Sequence, residues 1–264
     1  MTQRKNNMEI KTTNTKTLVK TLDILRSFDD LHTHQKASEI AKRLDLNIST
    51  VSRHLSDLMN YGFLEQDSES ANYYLGPAII NLAGVALNSN NMYKISHYEV
   101  QRLSEKLGMH AGMSILRGNN IVYLFEICTA HSYELLMPIG YERPALTSAM
   151  GRVMLADLPI QTVQNMLAKV KINRLTPYTL MDTEEIMNKI KEARELSYTI
   201  LIDEIKVGTS SIAAAVRNKN GKVIGALALS GETSKFVGAQ RKEIVDNVLI
   251  TANNISAKLG YFPR

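Results

Sequence analysis

The chain of 264 residues is long enough for one large domain or two ordinary ones, and its 44% hydrophobic content is that of a globular protein. The net charge of +5 is modest, and the single cysteine, Cys128, excludes an internal disulfide framework and fits a reducing cytoplasm. Because no apolar run approaches membrane-spanning length, we predict a cytoplasmic protein that makes no contact with a membrane.

The N-terminal part of the chain predicts a leader followed by a helix. Residues 1–15 are rich in Thr, Asn and Lys and have the composition of a flexible segment. Leu18, Leu22, Leu25 and Phe28 then recur at helical spacing. We expect this helix to complete a three-helix core with the segment that follows it.

Two short amphipathic helices separated by a tight turn are the most informative feature of the sequence. Between residues 37 and 62, apolar residues recur at helical spacing in two groups, and residues 45–47 interrupt them. Asn47 is suited to cap the second helix, because its side chain can accept hydrogen bonds from the free N–H groups of the first turn. Gly62 tolerates the left-handed conformation that ends such a helix. The pattern predicts a helix-turn-helix.

The second of these helices carries a polar face opposite its apolar stripe. Short hydroxyl side chains allow a helix to approach the major groove closely, and an arginine can reach a guanine or a phosphate. Basic side chains beside the helix can neutralise phosphates, and His54 is expected to touch a phosphate or to pack at the edge of the helix. The residues assigned to DNA binding are Lys36, Arg43, Asn47, Ser49, Thr50, Ser52, Arg53 and His54.

A polar hairpin follows the second helix. Residues 63–65 and 72–75 can pair as strands around the loop at 67–70, which forms a wing. Asp67 and Glu69 make the tip of the wing acidic, which argues against its strong insertion into the minor groove. Residues 16–77 are therefore predicted to form a winged helix-turn-helix DNA-binding domain. The alternative is a helical hairpin with a solvated polar face.

The remainder of the chain predicts a linker and a mixed domain. Residues 78–92 have the pattern of a linker helix, and a polar interruption at 88–91 leaves open whether it is one bent helix or two. Residues 93–264 contain two β-rich hairpins, helices between them and a long closing helix. This order predicts an α+β fold with two domains, of which the second is built on an antiparallel sheet.

Three blocks in the second half, combined with the winged helix, resemble the IclR family of bacterial transcription regulators. They are residues 144–156, 208–216 and 226–231, in that order, and the resemblance covers nearly the whole chain after the leader. It implies a GAF-like α/β effector domain behind the DNA-binding domain. It also implies a homodimer formed through the DNA-binding halves, often a tetramer, and a palindromic or nearly palindromic operator, because two-fold protein symmetry requires two-fold DNA symmetry.

The resemblance also implies where a small-molecule effector binds. In relatives, the loop that corresponds to residues 147–151 supplies backbone amides to a carboxylate, and the positive end of the following helix favours an anion. Ser211 stands where many relatives have cysteine, and Ser230 matches the second serine of a closing SxSG strand. For both, the alternative is a hydroxyl bonded to a neighbouring strand. The expected effector-binding residues are Leu135, Met137, Arg143, Ala149, Met150, Gly151, Thr209, Ser211 and Ser230.

Departures from the family pattern predict an apolar pocket. Leu201 falls where some members have a pocket aspartate, Ala228 replaces the first serine of the closing strand motif, and Ala215 replaces the usual proline. With fewer polar groups, the pocket is expected to be more apolar than in relatives that bind very small oxoacids.

The sequence carries no local signature of an enzyme such as a P-loop, a dinucleotide fingerprint, a GxSxG elbow or an HExxH pair. Asp203 and Glu204 form an acidic pair in a predicted loop, and neighbouring residues on a strand would point to opposite faces, which argues against a catalytic pair. We predict a DNA-binding transcription regulator, a repressor rather than an enzyme, with no cofactor and no metal. Its partners would be operator DNA, a carboxylate or sugar-derived effector, and further copies of the chain. The alternative is an effector-independent DNA-binding protein whose second domain only oligomerises.

Overall fold

The structure is a computed structural model that describes residues 15–128 and 137–262. The chain divides into two compact units, one ending at Ala86 and the other beginning at Leu87. The predicted leader lies outside the described residues except for Thr15, which begins the first helix. Leu135, assigned to the effector pocket, also lies outside the described residues.

The N-terminal unit is a three-helix core with a two-stranded wing. Its core is formed by apolar side chains from all three helices and from the first strand, including Ile24, Ile40, Val51, Leu55 and Leu64. The elements are α1 (Thr15–Arg26), α2 (Ala37–Leu44), α3 (Ile48–Asn60), β1 (Leu64–Gln66) and β2 (Tyr73–Leu75).

The turn between α2 and α3 is set by two short polar residues. Asp45 ends α2 in the left-handed region, with φ of 51°, and its N–H donates to the carbonyl of Ala41. Asn47 then caps α3, because its side chain accepts from the N–H of Ser49 at 2.9 Å. These local bonds satisfy backbone groups at both helix ends and keep the connection tight.

The wing is an antiparallel hairpin in which Leu64 pairs with Leu75. Asp67 organises its tip, since its Oδ1 accepts from the N–H and the hydroxyl of Ser70 at 2.7 and 2.6 Å. These bonds, the hydroxyl bond foremost, lower the pKa of Asp67, so the tip carries a negative charge.

Two helices, not one, follow the wing. They are α4 (Pro77–Ser89) and α5 (Asn91–Leu107), and Asn90 lies between them and caps α5 by accepting from the N–H of Met92 at 2.9 Å. No residue of α4 is buried, although the helix is rich in apolar side chains. No described helix is long and apolar enough to cross a membrane.

The C-terminal unit is a six-stranded antiparallel sheet with helices on both faces. The strands are β3 (His110–Arg117), β4 (Asn120–Ile127), β5 (Glu142–Pro144), β6 (Tyr198–Lys206), β7 (Thr209–Arg217) and β8 (Val223–Glu232), in the order β5-β4-β3-β8-β7-β6. The helices are α6 (Ala149–Leu155), α7 (Ile160–Leu167), α8 (Thr183–Leu196), α9 (Thr233–Val237) and α10 (Arg241–Lys258).

Each face of this sheet has its own hydrophobic core. On one face, α6, α7 and α8 contribute side chains such as Val153 and Ile186. On the other face, α5 and α10 contribute side chains such as Val100 and Val248. The predicted fold class, an N-terminal helix-turn-helix with a C-terminal α/β domain on an antiparallel sheet, is confirmed.

Candidate DNA-binding face and effector cavity

The outer face of α3 has the composition expected of a recognition helix. Val51 and Leu55 are buried in the core of the unit, whereas Ser52 and Arg53 are exposed. Thr50, at the start of the helix, is half-buried. Among the described residues, no side chain forms an ion pair or a hydrogen bond with Arg53. Its guanidinium group is therefore available to an external acceptor.

Two other predicted DNA-binding residues, Ser49 and Lys36, take part in hydrogen bonds at the N-termini of α3 and α2. The hydroxyl of Ser49 donates to Oδ1 of Asn47 at 2.8 Å, and the same oxygen accepts the N–H of Ser49. Lys36 precedes α2 and is exposed, and its backbone N–H donates to the carboxylate of Glu39 at 2.7 Å. Both assignments stay predictions, and Ser49 has a structural role as well.

The structure corrects the assignment of His54. This side chain is only 3% exposed, and its Nδ1 lies 3.0 Å from the hydroxyl of Thr21 on α1. Burial lowers the pKa of His54, and the charge of Arg53 adds to the effect. Position 54 follows Val51 by three residues, so helical geometry directs it inward with the apolar stripe. His54 packs α3 against α1 and does not face DNA.

Arg43 is partly committed to the fold. Its Nη1 donates to the carbonyl of Ser27, just beyond the end of α1, at 2.8 Å. The side chain of Gln35 also donates to this carbonyl, at 2.9 Å. The guanidinium group therefore ties α2 to the end of α1, and only its remaining donors are left for a phosphate.

A cavity of about 100 Å³ lies in the C-terminal unit, beside the start of α6 and the strands β3, β4, β6, β7 and β8. The predicted effector residues on its wall are Met137, Arg143, Ala149, Met150, Thr209, Ser211 and Ser230. Leu201 and Ala228, two of the three departures from the family pattern expected to make the pocket apolar, also line it, whereas the third, Ala215, does not. The fold thus brings together residues that are widely separated in the sequence.

The structure corrects the assignment of Gly151. This residue is not on the cavity wall, and its N–H donates to the hydroxyl of Ser148 at 3.0 Å. A Cβ atom at position 151 would lie 2.0 Å from the carbonyl oxygen of Ala145. Glycine is required here because α6 packs directly onto the preceding turn, not because an amide faces a ligand.

The two serines assigned to the pocket stand side by side. Ser211 on β7 pairs with Ser230 on β8, and Leu201 on β6 pairs with Ser211. No hydrogen bond joins either hydroxyl to another described residue. The described part of the chain therefore gives no support to the alternative in which these hydroxyls bond to a neighbouring strand.

A buried ion pair beside the cavity was not predicted from the sequence. The guanidinium of Arg152 donates to both carboxylate oxygens of Glu204, at 2.8 and 2.6 Å, and its Nε donates to the carbonyl of Leu146 at 2.9 Å. Arg152 is completely buried, and Glu204 lines the cavity. An arginine within the apolar run 150–156 was the available signal, since a buried charge requires a partner. Asp203, by contrast, points elsewhere and accepts from the N–H of Gly208 at 2.9 Å.

Two further residues of the cavity wall, Glu126 and Tyr123, were not predicted from the sequence. Glu126 on β4 accepts the N–H of Met137 at 2.6 Å. Burial raises the pKa of Glu126, while the Met137 N–H and the charge of Arg143 act in the opposite direction. Burial also raises the pKa of Tyr123 to about 12, so its phenol is a neutral donor or acceptor at pH 7.

Comparison with known protein families decides the class of the molecule. Residues 17–68 match the IclR helix-turn-helix domain, and residues 84–257 match the C-terminal domain of the bacterial transcriptional regulator IclR. The chain belongs to the IclR family. The IclR helix-turn-helix match covers α1, α2, α3 and β1, and the C-terminal match covers the whole six-stranded sheet.

Individual relatives agree with this family. The HTH-type transcriptional repressor AllR of Escherichia coli (strain K12) is 27% identical over 223 residues, which are 84% of this chain and 82% of AllR. The crystal structure of an IclR transcriptional regulator from Alicyclobacillus acidocaldarius superimposes with a TM-score of 0.81 at 26% identity, over 92% of this chain and 98% of that one. An IclR homologue from Microbacterium hydrocarbonoxydans, complexed with 4-hydroxybenzoate, gives a TM-score of 0.81 at 22% identity, over 92% and 98%. The predictions of an IclR-type transcription regulator, and of a protein that is not an enzyme, are confirmed.

Proposed function

We propose that the protein is a repressor that binds a palindromic or nearly palindromic operator as a homodimer in the bacterial cytoplasm, and that a small organic acid in the C-terminal cavity controls this binding. The observation that carries the proposal is the cavity itself, whose wall joins Arg143 to the hydroxyls of Ser211 and Ser230. The proposal of repression, rather than activation, follows from the similarity to AllR, which is named as a repressor.

The charges around the cavity support an acidic effector. Arg152 balances the carboxylate of Glu204 by a two-pronged ion pair. The remaining charged residues of the wall are then two positive ones, Arg143 and Lys206, and one negative one, Glu126. No described acidic group lies within ion-pair distance of Arg143. The ligand of the Microbacterium homologue, 4-hydroxybenzoate, is also a carboxylic acid.

The volume of the cavity supports a small effector. About 100 Å³ is well below the roughly 300–1,000 Å³ of pockets that hold drug-sized ligands. Leu201 and Ala228 occupy wall positions where relatives place polar groups, so part of the ligand surface should be apolar. Short-chain carboxylic acids fit both conditions, whereas sugar-derived acids offer little apolar surface.

Exposed apolar side chains support a dimer formed through the N-terminal units. Leu18 and Leu22 on α1 are 59% and 49% exposed, and Ile80, Leu82 and Val85 on α4 are 74%, 56% and 69% exposed. Both helices thus leave large apolar side chains in water, and exposed apolar surface that is not covered within the chain often marks an interface with another protein. A dimer of winged helix-turn-helix domains, here called reading heads, recognises two half-sites related by two-fold symmetry.

The control of operator binding would be a shift between conformations of the dimer. An effector that binds one arrangement of the paired reading heads more tightly moves the population toward that arrangement. Operator affinity then changes by the free energy that couples the two sites, typically about 1–3 kcal/mol.

A ligand screen on the intact protein tests this function. Thermal unfolding is followed with a panel of carboxylic acids, and each acid that binds is then added to an anisotropy titration of operator DNA. An acid present at about 100 times its Kd should stabilise the protein by about 2.7 kcal/mol and change operator affinity. If acids bind but leave operator affinity constant, the alternative of an effector-independent regulator is favoured.

A further inference from the structure

One carboxylate faces the cavity with an oxygen that no described residue occupies. Glu126 lies on β4 opposite Gly112 on β3, and both residues line the cavity. Its Oε2 accepts the Met137 N–H at 2.6 Å, whereas no described residue hydrogen-bonds to Oε1. Within the described part of the chain, Oε1 is therefore left to accept a hydrogen bond from a ligand.

Gly112 packs closely against the backbone of β4 beside this carboxylate. A Cβ atom at position 112 would lie 2.9 Å from the carbonyl oxygen of Phe125 and 3.4 Å from Cγ of Glu126. Any larger residue would place a side chain directly against the glutamate. Glycine at position 112 therefore allows β3 to lie close to β4 at Glu126, so that the backbone holds the glutamate on the cavity wall without a neighbouring side chain against it.

Glu126 differs chemically from the other polar groups of the wall. The hydroxyls of Ser211 and Ser230 both donate and accept, and Glu204 is already satisfied by Arg152. An ionised Glu126 only accepts, and it does so in a largely apolar cavity between Tyr123 and Met137. A ligand that buries this carboxylate against a C–H group leaves it unpaired, which is costly, whereas a ligand O–H or N–H satisfies it.

We propose that Glu126 selects effectors that carry a hydroxyl or amino donor beside their carboxylate, so that hydroxy acids and amino acids bind in preference to the unsubstituted acids. This inference rests on the proposed function of the cavity as an organic-acid site. The ligand carboxylate would lie toward Arg143 and the serine hydroxyls, and its donor toward Oε1 of Glu126.

Two series of acids with a common carbon skeleton test the preference. Propionate, lactate and alanine differ only in carrying hydrogen, hydroxyl or ammonium at C2, and succinate, malate and aspartate differ in the same way. Calorimetric titration of the full-length protein should give, in at least one series, a Kd about tenfold or more lower for a donor-bearing member than for the parent acid.

Glu126→Gln tests the residue. The amide oxygen can keep the Met137 N–H, which leaves the NH₂ group, a donor, facing the ligand. The variant should bind the parent acid at least as tightly, because it removes a negative charge from the cavity, and it should lose the preference for the amino acid, whose ammonium group cannot accept from the new NH₂ group. Glu142→Gln is the matched control, because Glu142 pairs with Arg117 away from the cavity and should keep the wild-type preference.

The outcomes separate the two proposals. Binding of the acids without a preference for the donor-bearing members overturns the inference alone, and so does a preference for the amino acid over the parent acid that survives in Glu126→Gln. The comparison of acids on the wild-type protein stands even if that variant fails to fold. If none of the six acids binds, the inference and the proposed organic-acid site both fall.

Discussion

At the scale of single residues, the recognition helix divides its polar side chains between two tasks. Asn47 and Ser49 bond to each other and cap α3, and His54 bonds to Thr21 in the core. Ser52 and Arg53 remain exposed on the outer face, and Arg53 forms no described hydrogen bond. Sequence discrimination should therefore rest mainly on Arg53 and its immediate neighbours.

We predict that Arg53→Ala weakens binding to the operator by about 1–3 kcal/mol if the guanidinium contacts a base edge. Fluorescence anisotropy with operator and with random DNA measures the change. Arg241→Ala, an exposed arginine in the C-terminal unit, removes the same charge and should leave both affinities nearly constant. An equal loss on operator and random DNA would instead assign Arg53 to phosphate contact.

The errors of residue assignment have simple physical origins. The polarity of His54 and its place on the recognition helix suggest a phosphate contact or packing at the helix edge, although its spacing from Val51 and Leu58 places it on the buried stripe. For Gly151, the family resemblance implies a place in the pocket, because in relatives the corresponding loop supplies backbone amides to a carboxylate. Its real role depends on contact with Ala145, which no periodicity in the sequence reveals.

At the scale of elements, the periodicity of the sequence predicted helices and turns that depend on neighbouring residues. It did not predict strand pairings that depend on distant parts of the chain. The helix-turn-helix, the wing and the closing helix follow from spacing and caps within a few residues. The strand β6 escaped prediction, and its pairing with β7 shifts register between Ile202 and Lys206, where Asp203 adopts a φ of 57°. Glu126 became a cavity residue only through the pairing of β3 with β4 and the approach of Met137.

The contact between α6 and the preceding turn gives a prediction at this scale. Gly151→Ala should destabilise the protein by about 1–3 kcal/mol, because the new methyl group overlaps the carbonyl of Ala145. Gly84→Ala in α4 is the matched control, since a Cβ there meets no atom within 4 Å. The control should be neutral or stabilising by about 0.5–1 kcal/mol. Urea unfolding measures both, and equal midpoints for the two variants would contradict the packing argument.

At the scale of the whole molecule, a homodimer would cover apolar surface that a monomer leaves in water. The exposed side chains of α1 and α4 belong to the unit that contains the reading head. Joining two such units would fix the separation of two recognition helices, and the operator would have to present half-sites at that spacing. A substitution that disrupts the dimer should therefore also weaken operator binding.

Ile80→Glu tests this coupling. A carboxylate in the centre of an apolar interface is costly to bury, so the variant should sediment as a smaller species and bind operator more weakly. Leu175→Glu changes a comparably exposed leucine in the C-terminal unit and should leave sedimentation and operator affinity constant. A variant at position 80 that sediments as the wild type would argue for another interface.

The order of strands in the sheet has a consequence for protein synthesis. The reading head has all its strands and core helices once Leu75 has left the ribosome, whereas β3 waits for β8, whose Ser230 is the partner of His110. Pairings between distant segments form late, since closing a long loop is entropically costly. A nonsense mutation between these strands would release a chain with a complete reading head and no sensor. The product of such an allele would carry the DNA-binding face without the effector cavity, so any operator binding it retains would not respond to the proposed effector.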